Sequence, residues 1–209
     1  MRKGTSTLRR FVILGHTQKA EAPIPLDDLA GAGRWDVLTR SVAAALLLSN
    51  GIRRDSEIYL VLLKANPVRT ILIKGAEVRN LSPDDRSIQG LLTKALATKP
   101  VAQHPAESSP GIYATHWDLG AVLDRCKTDG PIVLLHEMGL LLESGRDVDP
   151  LREGTFVLSD HEEFSPDQLA LIRGRATAMH SLGPLSLHTS TCIAIIHNLI
   201  DRAQPTGVR

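Results

Sequence analysis

The chain has 209 residues, 43% hydrophobic and 22% charged, with a formal net charge of +1. That length suits one large domain or two small ones with a buried core. The composition excludes wholesale disorder, and no apolar run reaches the ~20 residues of a membrane span. The near-neutral total hides an asymmetry: residues 1–100 carry 16 Lys+Arg against 9 Asp+Glu, and residues 101–209 carry 8 against 14. A basic first half suits an acidic partner such as nucleic acid, and two halves that neutralise each other across an interface would give the same numbers.

The basic start MRKGTSTLRR is followed by only four apolar residues, Phe11 to Leu14, too few for a secretory signal, so the chain reads as cytoplasmic. Those four, bounded by Gly15, predict a buried strand. A loop from Pro23 to Gly33 leads into a helix predicted over 34–50 and closed by Gly51. Ile58–Leu63 and Thr70–Ile73 read as strands, and Ser82-Pro83-Asp84-Asp85 starts a helix running to Thr98. Lys99–Gly111, with three prolines, reads as a linker or long loop.

The second half repeats the alternation. Asp118–Lys127 reads as helix, and Pro131–Leu135 and Thr155–Leu158 as strands. Ser165-Pro166-Asp167-Gln168 opens a helix with a capping box. Ala176–Leu182 is predicted as strand and Leu187–Arg202 as an apolar helix. This spacing predicts a mostly parallel α/β sheet with helices on both faces, with any ligand beyond the C-terminal ends of its strands. Residues 1–209 are expected to form one unit.

No GxGxxG, GxxxxGK[ST] or GxSxG motif is present. Two cysteines, Cys126 and Cys192, cannot build a disulfide framework or a four-thiolate zinc site. Histidines 136, 161, 188 and 197 lack metal-site pairing: His188 and His197 stand about 13–14 Å apart along a helix axis, and no metal is expected. Three strand-end segments are better candidates for a small-ligand site: Leu135 to Gly139, Leu158 to His161, and Ser181 to His188. Their Gly, Pro and free backbone amides can enclose a ligand through main-chain hydrogen bonds, or serve as simple turns. Aromatics make up only 3% of the chain and are scattered, which argues against a base-stacking sheet.

Five stretches carry a resemblance. GRWDVLTR (33–40), NGIRRD (50–55), LSPDDRS (81–87), PGIY (110–113) and GPLSLHTSTCIAIIHNLID (183–201) resemble, in that order, the archaeal tRNA pseudouridine N1-methyltransferases of the SPOUT superfamily. The resemblance implies an α/β fold with a deep C-terminal trefoil knot, a homodimer, tRNA as partner, and S-adenosylmethionine (SAM) as cofactor. It places Leu135, Ser159, the loop Leu182, Gly183, Pro184, Leu185 and Leu187, and Cys192 around that cofactor. It assigns residues 110–209 to the cofactor and 1–100 to the RNA, with T-loop position 54 as target. The family pattern has glycine where Ser159 stands, another glycine where Glu162-Glu163 follow, and histidine where Thr191 stands. Those departures keep a ribosomal pseudouridine, another RNA base, or a catalytically silent RNA-binding dimer as alternatives.

Arg34 and Asp36 match an Arg-x-Asp element shared with related ribosomal pseudouridine methyltransferases. Pseudouridine has an N1–H that uridine lacks, and its methylation needs a proton acceptor. A carboxylate can take that proton, and an arginine can stabilise the anionic base or grip a phosphate. An Asp at a helix start beside a solvated Arg is the alternative reading. Arg53, Arg54 and Arg86 read as phosphate contacts or as solvated surface arginines, and Asp55 as a second base or an ion-pair partner.

Overall fold

The computed structural model describes residues 8–25, 27–101, 104–143 and 145–203. Its centre is β1 (Arg9–Gly15), buried at every position. Strict alternation sends Phe11 and Ile13 to one face and Val12 and Leu14 to the other, into two separate apolar clusters. A strand covered on both faces needs neighbours on both edges. β1 pairs in parallel with β4 (Ser56–Leu62) on one side and β9 (Thr155–Ser159) on the other.

The remaining strands are β5 (Arg69–Lys74), β6 (Ala106–Ser109), β7 (Ile112–Thr115), β8 (Ile132–Leu141) and β10 (Ala178–Ser181), in the order β10-β8-β9-β1-β4-β5-β7-β6. Pairing is parallel from β10 to β4 and antiparallel from β4 to β6. The sheet is thus mostly parallel. One face is covered by α1 (Trp35–Leu46), α2 (Asp85–Ala97) and α6 (Thr189–Ala203), the other by α3 (Leu119–Lys127) and α5 (Pro166–Arg173). Ile193, Ile196 and Ile200 of α6 are fully buried, facing α1. Each contributes on the order of 1.5–3 kcal/mol by leaving water. A short α4 (Gly145–Val148) packs beside α6. No helix among the described residues is long and apolar enough to cross a membrane.

Several predicted boundaries are corrected. The helix predicted to Asn50 ends at Leu46, because Leu47 turns extended. Leu47–Leu48 (β2) pairs antiparallel with Gly51–Ile52 (β3) across a two-residue turn, so Gly51 starts a returning strand rather than capping a helix. α2 is capped by Asp84, which accepts from the Ser87 amide, rather than by Ser82. The expected linker holds β6, joined to β7 by Pro110-Gly111. Gly111 has φ +76, and a Cβ there would lie 2.3 Å from the Val78 nitrogen. β6 reads AESS, an edge strand with no apolar signal to betray it. The capping box at Ser165 and Gln168 forms as expected.

Arg9 is fully buried at the start of β1. Its guanidinium donates to Asp55 (2.7 Å), Asp201 (2.8 Å) and His197 Nδ1 (3.0 Å). His197 Nε2 lies 3.1 Å from the Ala45 carbonyl, which makes Nε2 the protonated nitrogen and Nδ1 the acceptor. Burial, reinforced by the charges of Arg53 and Arg9, pushes the His197 pKa down to about 3. The unfolded chain takes up a proton near pH 6.5 that the folded chain refuses. Stability is therefore full above that pH and falls as pH drops towards 3, by at most about 1.4 kcal/mol per pH unit. The raised pKa of His16 works in the opposite sense, contributing stability at low pH that is lost as pH rises. Urea unfolding at pH 6.5 and 4.5 should show the loss in the wild type, and His197→Gln should flatten it.

Candidate active site

The strand predicted to end at Leu135, β8, in fact runs on to Leu141. Between the middle of β8 and the C-terminal ends of β9 and β10 lies a cavity of about 520 Å³, within the range of small-ligand sites. Its first wall comes from an interruption in one ladder. Met179 of β10 pairs with Leu134, yet the next residue, His180, pairs with Leu140. Residues 135–139 therefore swing out of register and line the cavity through Leu135, His136, Glu137 and Met138. Gly139 closes the excursion: a Cβ there would lie 2.4–2.7 Å from the backbone of His180. The second wall is Leu158 to Phe164 and the third runs from His180 to Leu187, with Thr189 and Cys192 behind them.

Of the eight residues expected around a cofactor, Leu135, Ser159, Leu182, Gly183, Leu185, Leu187 and Cys192 line this cavity, and Pro184 does not. Gly183 has φ +152 and a Cβ there would meet nothing within 4 Å, so backbone conformation rather than crowding favours glycine there. Thr189 Oγ donates to the carbonyls of Ser159 (2.7 Å) and Asp160 (3.2 Å), tying the start of α6 to the second wall. Burial raises the pKa of the Cys192 thiol, so this sulfur stays protonated.

At the edge of the cavity the Asp160 side chain is fully enclosed. It accepts from the His16 amide (3.0 Å), the His16 ring (2.9 Å) and the Glu162 amide (3.0 Å). Burial alone would raise its pKa, but these bonds and the His16 charge hold it down at about 2. His16 Nε2 reaches Gln168 of α5 at 3.0 Å. Burial opposes protonation of His16, and the bonds to Asp160 and Gln168 outweigh it and raise its pKa. Residue-by-residue reading of the sequence passes over His16. Its signal is its place one residue beyond the central strand, where ligands of open α/β sheets sit.

Arg34 and Asp36 come together at the start of α1. Arg34 Nε donates to Asp36 Oδ1 at 3.0 Å and Arg40 donates to Oδ2 at 2.6 Å. Partial burial favours the neutral acid, but the Arg34 bond and the two positive charges prevail and lower the Asp36 pKa. Arg34 itself adopts φ 61, an unusual backbone for a residue other than glycine. Arg53 is half-buried and bonds Asp201 at 2.9 and 3.1 Å, while Asp55 bonds Arg9. Arg54 is exposed, with one terminal nitrogen donating to the carbonyls of Gly75 and Val78. Arg86 is exposed on the first turn of α2.

Residues 8–205 match the family described as "Putative SAM-dependent RNA methyltransferase". A tRNA (pseudouridine(54)-N(1))-methyltransferase of Halobacterium salinarum is 42% identical over 199 residues, covering 94% of this chain and 97% of that one. Proteins of the same name from Haloarcula marismortui and Methanosarcina acetivorans are 39% and 36% identical, covering 94% of this chain and 98% and 92% of theirs. The crystal structure of Archaeoglobus fulgidus Nep1 bound to S-adenosylhomocysteine superposes with a TM-score of 0.66 at 17% identity, covering 93% of this chain and 98% of that one. That likeness is one of fold.

The Gly139 contact gives a test of how the first wall is built. Gly139→Ala should force β8 and β10 apart at His180, costing about 1–3 kcal/mol in denaturant unfolding. Amide exchange over 178–181 should speed up while that of β1 stays unchanged. Wild-type stability in the variant would mean the excursion adjusts freely.

Proposed function

The chain belongs to this family of SAM-dependent RNA methyltransferases, and we propose that it transfers a methyl group from SAM to N1 of pseudouridine in tRNA, at position 54 of the T-loop. The observation that carries the reading is the meeting of the β8 excursion and the ends of β9 and β10 on one cavity, in a chain 36–42% identical over its length to relatives named for that reaction. The lining suits the cofactor: Leu135, Leu182 and Leu187 offer apolar surface to an adenine ring, and Glu137, Glu162 and Glu163 offer carboxylates to a sulfonium cation. When bound, SAM supplies the electrophilic methyl group.

In this reading the whole chain acts as one unit, with residues 110–209 holding the cofactor in a trefoil knot and 1–100 facing the RNA. Support comes from the sheet, whose parallel half draws β1 and β4 from the first part and β8, β9 and β10 from the second. Asp36 takes the N1 proton of a flipped-out base, and Arg34 stabilises the anion that results. With two arginines on it, Asp36 is fully ionised at neutral pH but a weak base. A phosphate that draws Arg40 away strengthens it. Arg54 and Arg86 are placed to meet the RNA backbone, and Arg53 reaches it only by sharing its bonds with Asp201. The reaction needs no metal in this reading, and the enzyme works in the cytoplasm.

The test uses labelled SAM and two tRNAs that differ at position 54. The pseudouridine form should gain one methyl and the uridine form none. Asp36→Asn should slow transfer by about 10²–10⁴-fold, the usual share of a general base. Methylation of the uridine form would overturn the substrate assignment, and a variant at wild-type speed would make Asp36 structural.

The proposed enzyme is a homodimer. The family resemblance sets α6 against its twin: Ile193, Ile196 and Ile200 are buried within the chain, and Ile195 and Leu199 on the same helix are only partly buried. Met138 and Leu185 on the cavity wall, and Leu140 and Leu141 further along β8, are exposed at 79, 74, 77 and 49%, apolar surface suited to a two-fold contact. Sedimentation should show a species of twice the 22.7 kDa chain. Leu140→Glu should shift it to monomer, and a monomeric wild type at micromolar concentration would remove the dimer.

A further inference from the structure

Between the cavity and the Arg34–Asp36 pair runs the segment His16-Thr17-Gln18, which follows β1. Gln18 is fully buried. Its Nε2 donates to the Asp160 carboxylate at 3.3 Å and to the Arg34 carbonyl at 3.3 Å. Thr17 Oγ donates to the Gly33 carbonyl at 2.8 Å. Gly33 has φ +97 and lies so close that a Cβ there would be 2.4 Å from the Thr17 carbonyl oxygen. His16 closes the other side through its two bonds to Asp160. Three residues thus touch the cavity's Asp160 on one side and Gly33–Arg34 on the other.

We propose that this segment is a positioning bridge, with Gln18 as the residue that holds Arg34 and Asp36 at a set distance from the cofactor cavity. The proposal rests on the function given above. Three features support it. A buried amide is an uneconomical way to fill space, and Gln18 Oε1 has no partner among the described residues. Both of its N–H bonds go to the two places the reaction must bring together. Arg34, moreover, keeps a left-handed backbone that its own side chain does not require, and its carbonyl is the one Gln18 holds. Asp160 suits the anchoring role because the His16 and Glu162 bonds already fix it. A misplacement of about 1 Å between reacting groups can cost about 10²-fold in rate, so a bridge of this kind affects turnover more than binding.

Gln18→Met keeps the length of the side chain and removes both bonds. Single-turnover methyl transfer to pseudouridine tRNA should fall about 10–10²-fold, with affinity for S-adenosylhomocysteine within about threefold of wild type. Adding Gln18→Met to a chain that already carries Arg34→Ala and Asp36→Asn should cost nothing further, because the bridge acts by placing those two side chains. A second readout needs no RNA. Binding of S-adenosylhomocysteine should slow amide exchange at residues 33–36 in the wild type and not in Gln18→Met. A further loss on adding Gln18→Met to the Arg34→Ala, Asp36→Asn chain, or exchange at 33–36 that ignores the ligand in the wild type, would overturn the bridge. A wild type that methylates no RNA would instead overturn the functional reading, and the exchange measurement would still decide the bridge.

Discussion

Everything at the candidate site depends on β1 being buried on both faces and paired in parallel on both edges. Apolar side chains on either side of a seven-residue strand leave it only the middle of a sheet. Parallel pairing then brings the C-terminal ends of β1 and β9 to one rim, where Leu14 stands opposite Ser159. The chain leaving β1 must pass the chain leaving β9. His16 meets Asp160 there for that reason, and the Asp160 amide bonds the Leu14 carbonyl at 3.1 Å. The proposed cofactor pocket and the proposed RNA-side pair share a border because two strands end together.

The opposite end of β1 explains the charge asymmetry. The basic first half and acidic second half suited either an acidic partner or mutual neutralisation, and both descriptions hold at different residues. Arg9 and Arg53 pair with Asp201, and Arg10 with Asp129, all across the two halves. Arg54 and Arg86 remain exposed. A buried cation such as Arg9 folds only if its carboxylates arrive with it, so this cluster ties α6 to the first strand. Summed charge could not separate the paired arginines from the exposed ones, since pairing depends on where residue 201 returns in space.

The same locality governs the smaller misreadings. The leucines at 46–48 read as helix because apolar residues do not distinguish a last turn from a short extended segment. The two-residue turn that follows decided between them. β6 has no strand pattern in sequence because an edge strand needs little apolar surface, and its one apolar residue is Ala106. The excursion at 135–139 also left no periodic mark, since a ladder's register belongs to two strands and a sequence shows one at a time.

By itself the sequence determined the alternation of strands and helices, the two-faced core, and the three segments 135–139, 158–161 and 181–188 that line the cavity, the first of them within β8 rather than after it. It also determined the family, through five motifs in order. These are local properties: side-chain period, capping chemistry and motif spacing act within a few residues. Tertiary structure alone decided which arginines pair across the two halves, how β8 leaves its ladder, and that Gln18 stands between Asp160 and Arg34. Those facts join residues 16 to 192 positions apart, and chain contacts over such distances exist only once the sheet has closed around β1.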